Sequence, residues 1–258
     1  MPSLHLLGTG AAISDAHRTT AMLAVSDDRS PPRTLVVDCG GDALQRLLMC
    51  DRPIDSVDGL IVTHAHMDHT SGFPLLMEKV WLDGRDRALP VVGIEPALAQ
   101  AERLWAAYEP VHSGWEGIPP IDWRTVPHEP GAVVWDEGPW SITAAPVNHG
   151  DTPNVGLRFE HDSDGGRGSV LAYSCDTAPS ENVVRLAENC DVLVHEANGG
   201  PSENHSTAVE AAEAARAADA DRLLLVHLPP GDKGDVLREA RQIFPHTDLG
   251  AELYSYEL

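Results

Sequence analysis

Short apolar runs alternate with amphipathic stretches along most of the chain. The runs at 4–7, 22–25, 34–37, 59–62, 90–94, 141–147, 155–159, 169–173, 192–195 and 222–227 are mostly aliphatic. Several are bordered by Gly, Pro or Asp, and together they predict strands. Helical spacing predicts helices over 42–49, 96–107, 180–187, 206–218 and 235–243. Ser206 stands where an N-cap belongs, with Glu210 close behind it. Ala208, Ala211, Ala212 and Ala215 give that helix a small apolar face suited to a sheet. Strands alternating with helices predict an α/β fold with mixed sheets. No linker divides the chain, so residues 1–258 read as one domain. Segment 108–131, with Trp115, Trp123 and several prolines, reads as a surface excursion or a lid. Segment 161–168 reads as a solvated hairpin tip.

Three of the apolar strands run out into a histidine: His64, His195 and His227. In open α/β sheets, ligands gather beyond the carboxyl ends of strands, so these histidines point toward one edge of the fold. The first belongs to a denser string, His64-Ala-His66-Met-Asp68-His69. His64 and His66 are two apart, so on an extended chain their rings share one side. Asp68 and His69 fall where the chain turns toward a helix. Imidazole nitrogens and carboxylate oxygens are the donors that Zn²⁺ or Mn²⁺ take. A string of this form arises by chance about 0.003 times in a chain of this composition. Metal binding is therefore a better reading than a solvated His-rich turn.

The charge changes the picture of partners. Forty acids face 18 bases, for a net charge of −22, and the only lysines are Lys79 and Lys233. A surface this acidic disfavours long nucleic acid and anionic membranes, which need cations opposite their phosphates. The N-terminus lacks a signal-peptide pattern, and no apolar run is long enough to span a bilayer. Cys39, Cys50, Cys175 and Cys190 are scattered, which suits reduced thiols in a soluble, cytoplasmic protein.

The string resembles the metal motif of the metallo-β-lactamase superfamily. Leu7-Gly-Thr-Gly10, Val37-Asp38-Cys-Gly-Gly41, Val147-Asn-His149, Tyr173-Ser-Cys-Asp176 and Leu225-Val-His227 extend the likeness from about residue 4 to 228. The resemblance implies a four-layer αβ/βα sandwich of two mixed sheets flanked by helices. It implies two divalent ions, Zn²⁺ or Mn²⁺. His64, His66 and His149 would hold one; Asp68, His69 and His227 the other; Asp176 would bridge them. Cys175, beside the bridge, reads as a structural thiol.

His195-Glu196-Ala197 and His205-Ser-Thr207 narrow the likeness to the ribonuclease Z-like branch. That branch includes tRNA 3′-end endonucleases and smaller cyclic phosphodiesterases. By resemblance, His205 protonates the leaving oxygen or stabilises the phosphate, Glu196 orients it, and Asp68 is a candidate to orient a hydroxide held by the ions. The chain departs from the endonucleases in three ways. Only 26 residues separate His149 from Asp176, too few for a tRNA-gripping arm. His227 is followed by Leu-Pro-Pro-Gly rather than Ser-x-Arg-Tyr. The chain is also acidic. The sequence therefore predicts a small phosphodiester partner, a cyclic nucleotide or cyclic sugar phosphate. A tRNA 3′-processing endoribonuclease is the alternative, and a lactone or thioester hydrolase the third reading. Relatives commonly dimerise, so a homodimer is open. Trp115 and Trp123 read as packing residues, with base stacking as the alternative.

Overall fold

The computed structural model describes residues 1–27, 29–108, 113–162, 168–199 and 203–258. Among these residues the strands form two seven-stranded sheets. The first contains β1 (Ser3–Gly8), β2 (Met22–Ser26), β3 (Thr34–Val37), β4 (Val57–Val62), β5 (Leu89–Gly93) and β6 (Ile121–Thr125) in that order. β14 (Ser255–Glu257) joins it beyond β1. The second contains β7 (Ala132–Glu137), β8 (Trp140–Pro146), β9 (Val155–His161), β10 (Ser169–Tyr173), β11 (Val192–Glu196), β12 (Leu223–Val226) and β13 (Thr247–Leu249), also in order. Each sheet is antiparallel on one side and parallel on the other. The parallel halves are β3 to β6 and β10 to β13.

The burial follows from that split. β3, β11 and β12 are buried at every position, as parallel strands covered on both faces must be. β7 and β8 each expose part of one face. The inner faces meet in one core in which Ile61, Trp135, Leu157, Tyr173 and Val194 take part. A Cβ on Gly59 would lie 2.8 Å from the Trp135 ring, so a residue without a side chain lets the sheets close there.

Helices α1 (Ala43–Met49), α2 (Met67–Thr70), α3 (Phe73–Leu82) and α4 (Glu95–Ala106) accompany the first sheet. Helices α5 (Glu181–Leu186), α6 (Ala208–Ala217) and α7 (Gly234–Ile243) accompany the second. The α6 alanines are buried in a second apolar cluster with Leu193, Leu223 and Leu225. The expected αβ/βα sandwich is therefore the observed fold. No helix among the described residues is long and apolar enough to cross a membrane. All four cysteines are free and buried.

Several local expectations change. The N-cap of α6 is Thr207, not Ser206. Thr207 and Glu210 form a reciprocal capping box, while the Ser206 hydroxyl donates to the Thr177 carbonyl at 2.6 Å. Helix α3 was not expected, although its buried Phe73, Leu76, Met77 and Val80 have helical spacing. Segment 108–131 contains an edge strand, β6, whose Ile-Asp-Trp-Arg-Thr alternates apolar and polar residues as a half-buried strand does; residues 109–112 lie outside the described residues. So do residues 163–167 of the expected hairpin tip.

Candidate metal centre

Four loops at the carboxyl ends of strands converge on one point between the sheets. The loop after β4 carries His64 and His66, and α2 follows at once with Asp68 and His69. The loop after β8 carries His149, that after β10 carries Asp176, and that after β12 carries His227. The turn after β3 packs directly on α2: Cys39 N–H donates to the His69 carbonyl at 2.9 Å. A Cβ on Gly40 would sit 1.6 Å from the Asp68 carbonyl oxygen. Asp38, Cys175 and His227 all have left-handed backbones, with φ of 61°, 52° and 52°. Such conformations are uncommon for side-chain-bearing residues and persist where the surroundings hold them.

The expected ligands come together in two groups. His64 Nε2 and His149 Nε2 each lie 3.1 Å from His66 Nδ1. One ring nitrogen carries one proton or one lone pair, so it cannot satisfy both neighbours. A cation shared by three lone pairs can. In the other group, His227 Nε2 lies 3.2 Å from Asp176 Oδ2 and 3.4 Å from Asp68 Oδ2. His69 Nε2 lies 3.5 Å from Asp176 Oδ2 and 3.7 Å from Asp68 Oδ2. His69 Nε2 and Asp176 Oδ1 are buried without a hydrogen-bond partner. Orphaned buried donors and acceptors are costly unless something else engages them. The donor set therefore suits divalent cations.

The electrostatics agree. Burial, with His69 beside it, holds His64 well below its ordinary pKa; burial and His149 lower His66. Both offer lone pairs near neutrality. Burial opposes a charge on Asp176, yet His227 and His69 hold it well below the usual carboxylate range. Burial likewise opposes a charge on His69, but Asp176 and Asp38 outweigh it and raise its proton affinity. A cation binding there displaces that proton.

Asp38 is a functional residue the sequence reading did not assign. Its Oδ2 lies 2.7 Å from His69 Nδ1, and it accepts both the N–H and the hydroxyl of Thr63. It fixes the ring that faces Asp176, as outer-shell carboxylates do for metal-ligating histidines. The only signal was an acid at the end of a buried strand, which also fits a structural turn. Cys175 Sγ lies 3.0 Å from Thr63 Oγ1 and 3.7 Å from His64 Nδ1. Burial, then the Asp38 and Asp176 charges, push its thiol pKa well up, so it stays protonated.

Glu196 and His205 meet beside the cluster. His205 Nδ1 lies 2.8 Å from Glu196 Oε1, which also accepts from the N–H groups of Thr177 at 2.9 Å and Ser206 at 3.2 Å. Oε2 accepts from Asn198 N–H at 2.9 Å. The carboxylate is fully buried and locked. The His205 ring stacks on His227 with centroids 5.4 Å apart. Burial lowers the His205 pKa, but the Glu196 hydrogen bond and charge outweigh it and the net shift is upward.

Strand β11 thus delivers Glu196 to the site rather than His195, because neighbouring strand residues face opposite ways. His195 is buried against the Glu196 carbonyl. Trp123 packs on Phe73 beneath the surface. Arg158 is tied to the Leu186 and Glu188 carbonyls.

Residues 33–228 match the family model described as "Beta-lactamase superfamily domain". A protein named ribonuclease Z from Methanothermobacter thermautotrophicus is 26% identical, over 100% of this chain and 97% of its own. The metallo-β-lactamase fold protein YhfI from Bacillus subtilis superposes with a TM-score of 0.78 at 23% identity, over 99% of this chain and 98% of its own. Human tRNase Z, short form, superposes with a TM-score of 0.76 at 20% identity, over 99% and 98%. These relatives correct the expectation of a small phosphodiester partner with long nucleic acid disfavoured. Net charge sums over the whole surface and says little about one cleft lined by cation ligands. The ribonuclease Z alignment spans 310 positions against 258 residues here, so about 50 of its positions lie opposite gaps in this chain. The chain belongs to the metallo-β-lactamase superfamily of hydrolases, and the relatives it resembles include proteins named ribonuclease Z.

Proposed function

We propose that the protein is a two-metal endoribonuclease of the tRNA 3′-processing kind. The observation that carries this reading is the locked Glu196–His205 pair beside the ligand cluster. Ligand atoms of Glu196, His205 and His227 lie within 4.8 Å of one another. RNA cleavage needs an acid at the leaving ribose oxygen, and a carboxylate-backed imidazole beside the ligand cluster supplies one. The relatives named ribonuclease Z support the same substrate class.

His64, His66, His149 and Asp176 would hold one ion, and Asp68, His69, His227 and Asp176 would hold the other. Zn²⁺ and Mn²⁺ both suit these donors. The Asp176 carboxylate groups with Asp68, His69 and His227 and also with His149 and His205, so its two oxygens could serve both sites. Divalent ions in these positions supply Lewis acidity toward the phosphodiester and toward water. Asp68 accepts a proton from attacking water. Glu196 fixes the His205 ring through Nδ1, which leaves Nε2 to give its proton to the departing ribose oxygen. Asp38 keeps His69 from rotating away.

A precursor tRNA with a 3′ trailer tests the proposal. Endonucleolytic release of the trailer is expected with added Zn²⁺ or Mn²⁺. RNA left intact at every salt concentration, by protein that holds metal, would remove the reading.

A further inference from the structure

The segment just beyond α2 borders an aromatic cleft that the cleavage chemistry does not use. Trp105 and Tyr108 from the end of α4, and Trp115 from the segment before β6, line a cavity of about 300 Å³. Ser71, Leu75 and Glu78 complete its wall. Trp81 lies flat against Trp115, with ring centroids 4.7 Å apart and planes 10° apart. The Trp81 indole N–H donates to the Glu116 carbonyl at 3.0 Å. Trp115 is thus held as a plate. Tyr108 is 51% exposed and Leu75 40%, so the cleft is open to solvent. It is also close to the reacting centre. Ser71 caps α2 three residues past Asp68, a rise of about 5 Å.

We propose that this cleft binds an unpaired base of the RNA substrate, stacked against Trp115 beside the scissile phosphate. The inference rests on the reading of the protein as a ribonuclease. Charge favours a base over a phosphate here. Glu78 is the one residue charged at neutral pH among the described residues of the wall, and its carboxylate repels phosphate. It accepts from the exocyclic amino groups that adenine, cytosine and guanine carry. Lys79, next to Glu78 in the chain, is engaged on Asp42. Stacking asks for no cation and tolerates any base.

The test is trailer release from RNA carrying a single abasic nucleotide, placed in turn at each position flanking the cut. Wild type, Trp115→Ala and Trp115→Phe are compared. Trp115→Ala should raise KM on the order of tenfold, and Trp115→Phe should restore most of it. One abasic position should cost wild type the same factor and cost Trp115→Ala nothing further. The inference is overturned if the two losses multiply at every position. It is also overturned if Trp115→Ala only turns a dimer into a monomer while wild type ignores every abasic site. That result assigns the cleft to a second copy of the chain. If wild type cuts no RNA at all, the ribonuclease reading fails first.

Discussion

Glu196 Oε1 accepts the Nδ1–H of His205 at 2.8 Å, and the carboxylate that does so is itself pinned by three backbone N–H groups. The pair is therefore rigid before any substrate arrives, which is what a positioned general acid requires. His205→Ala should lower kcat by about 10²–10⁴-fold while bound metal stays at the wild-type level. Metal analysis alongside turnover checks this, and loss of metal would show that His205 is a ligand instead. Glu196→Gln removes the charge that raises the His205 pKa. An acid must be protonated to act, so the alkaline fall in activity should begin at lower pH in the variant.

Asp38 should matter to the metal and not to the general acid. Asp38→Asn keeps the shape but weakens the hold on His69 Nδ1. Outer-shell changes of this kind typically cost about 10–100-fold in metal affinity. A competition titration against a chelator measures it. An unchanged affinity would make Asp38 a turn residue only.

Gly40 tests the packing that places α2. An added Cβ meets the backbone of Asp68, 1.6 Å from its oxygen and 2.1 Å from its carbonyl carbon, and backbone cannot swing away. Gly40→Ala should cost about 1–3 kcal/mol of stability through overpacking and weaken the site that contains Asp68 and His69. Thermal unfolding with and without added metal separates the two effects.

The fold and most of the centre were legible in the sequence, for a physical reason. Parallel strands buried on both faces must be continuous apolar runs, and the ligands sit at their ends, so His64 and His227 announce themselves. Edge strands do not. β6 alternates apolar Ile121 and Trp123 with polar Asp122 and Arg124 over only five residues close after Pro119 and Pro120, so it lacks the continuous apolar run of a central strand. Asp38 was missed because its partner, His69, lies 31 residues away and only the fold joins them. The partner was misjudged on the whole-chain charge of −22, which averages over faces that never meet substrate.

His5 should contribute a pH-dependent part of stability unrelated to catalysis. It is fully buried between Ser26 and Ser255 hydroxyls. Burial, helped by Arg52, lowers its pKa to about 4. The unfolded chain takes up a proton near pH 6.5, and the folded chain only near 4. Stability from this group is therefore complete above pH 6.5 and is lost as pH falls toward 4, by about 3 kcal/mol. His5→Gln should flatten denaturant midpoints across that window. An equal slope in both proteins would assign the acid sensitivity to other groups.

Metal loading and RNA cleavage followed in the same samples test the central claim most directly. Metal-stripped protein is titrated with Mn²⁺ or Zn²⁺, bound ions per chain are counted, and trailer release from precursor tRNA is timed at each point. The account predicts two ions per chain, with cleavage rising as both sites fill and lost again on chelation. Full loading with the precursor intact, or cleavage that ignores the chelator, would contradict it.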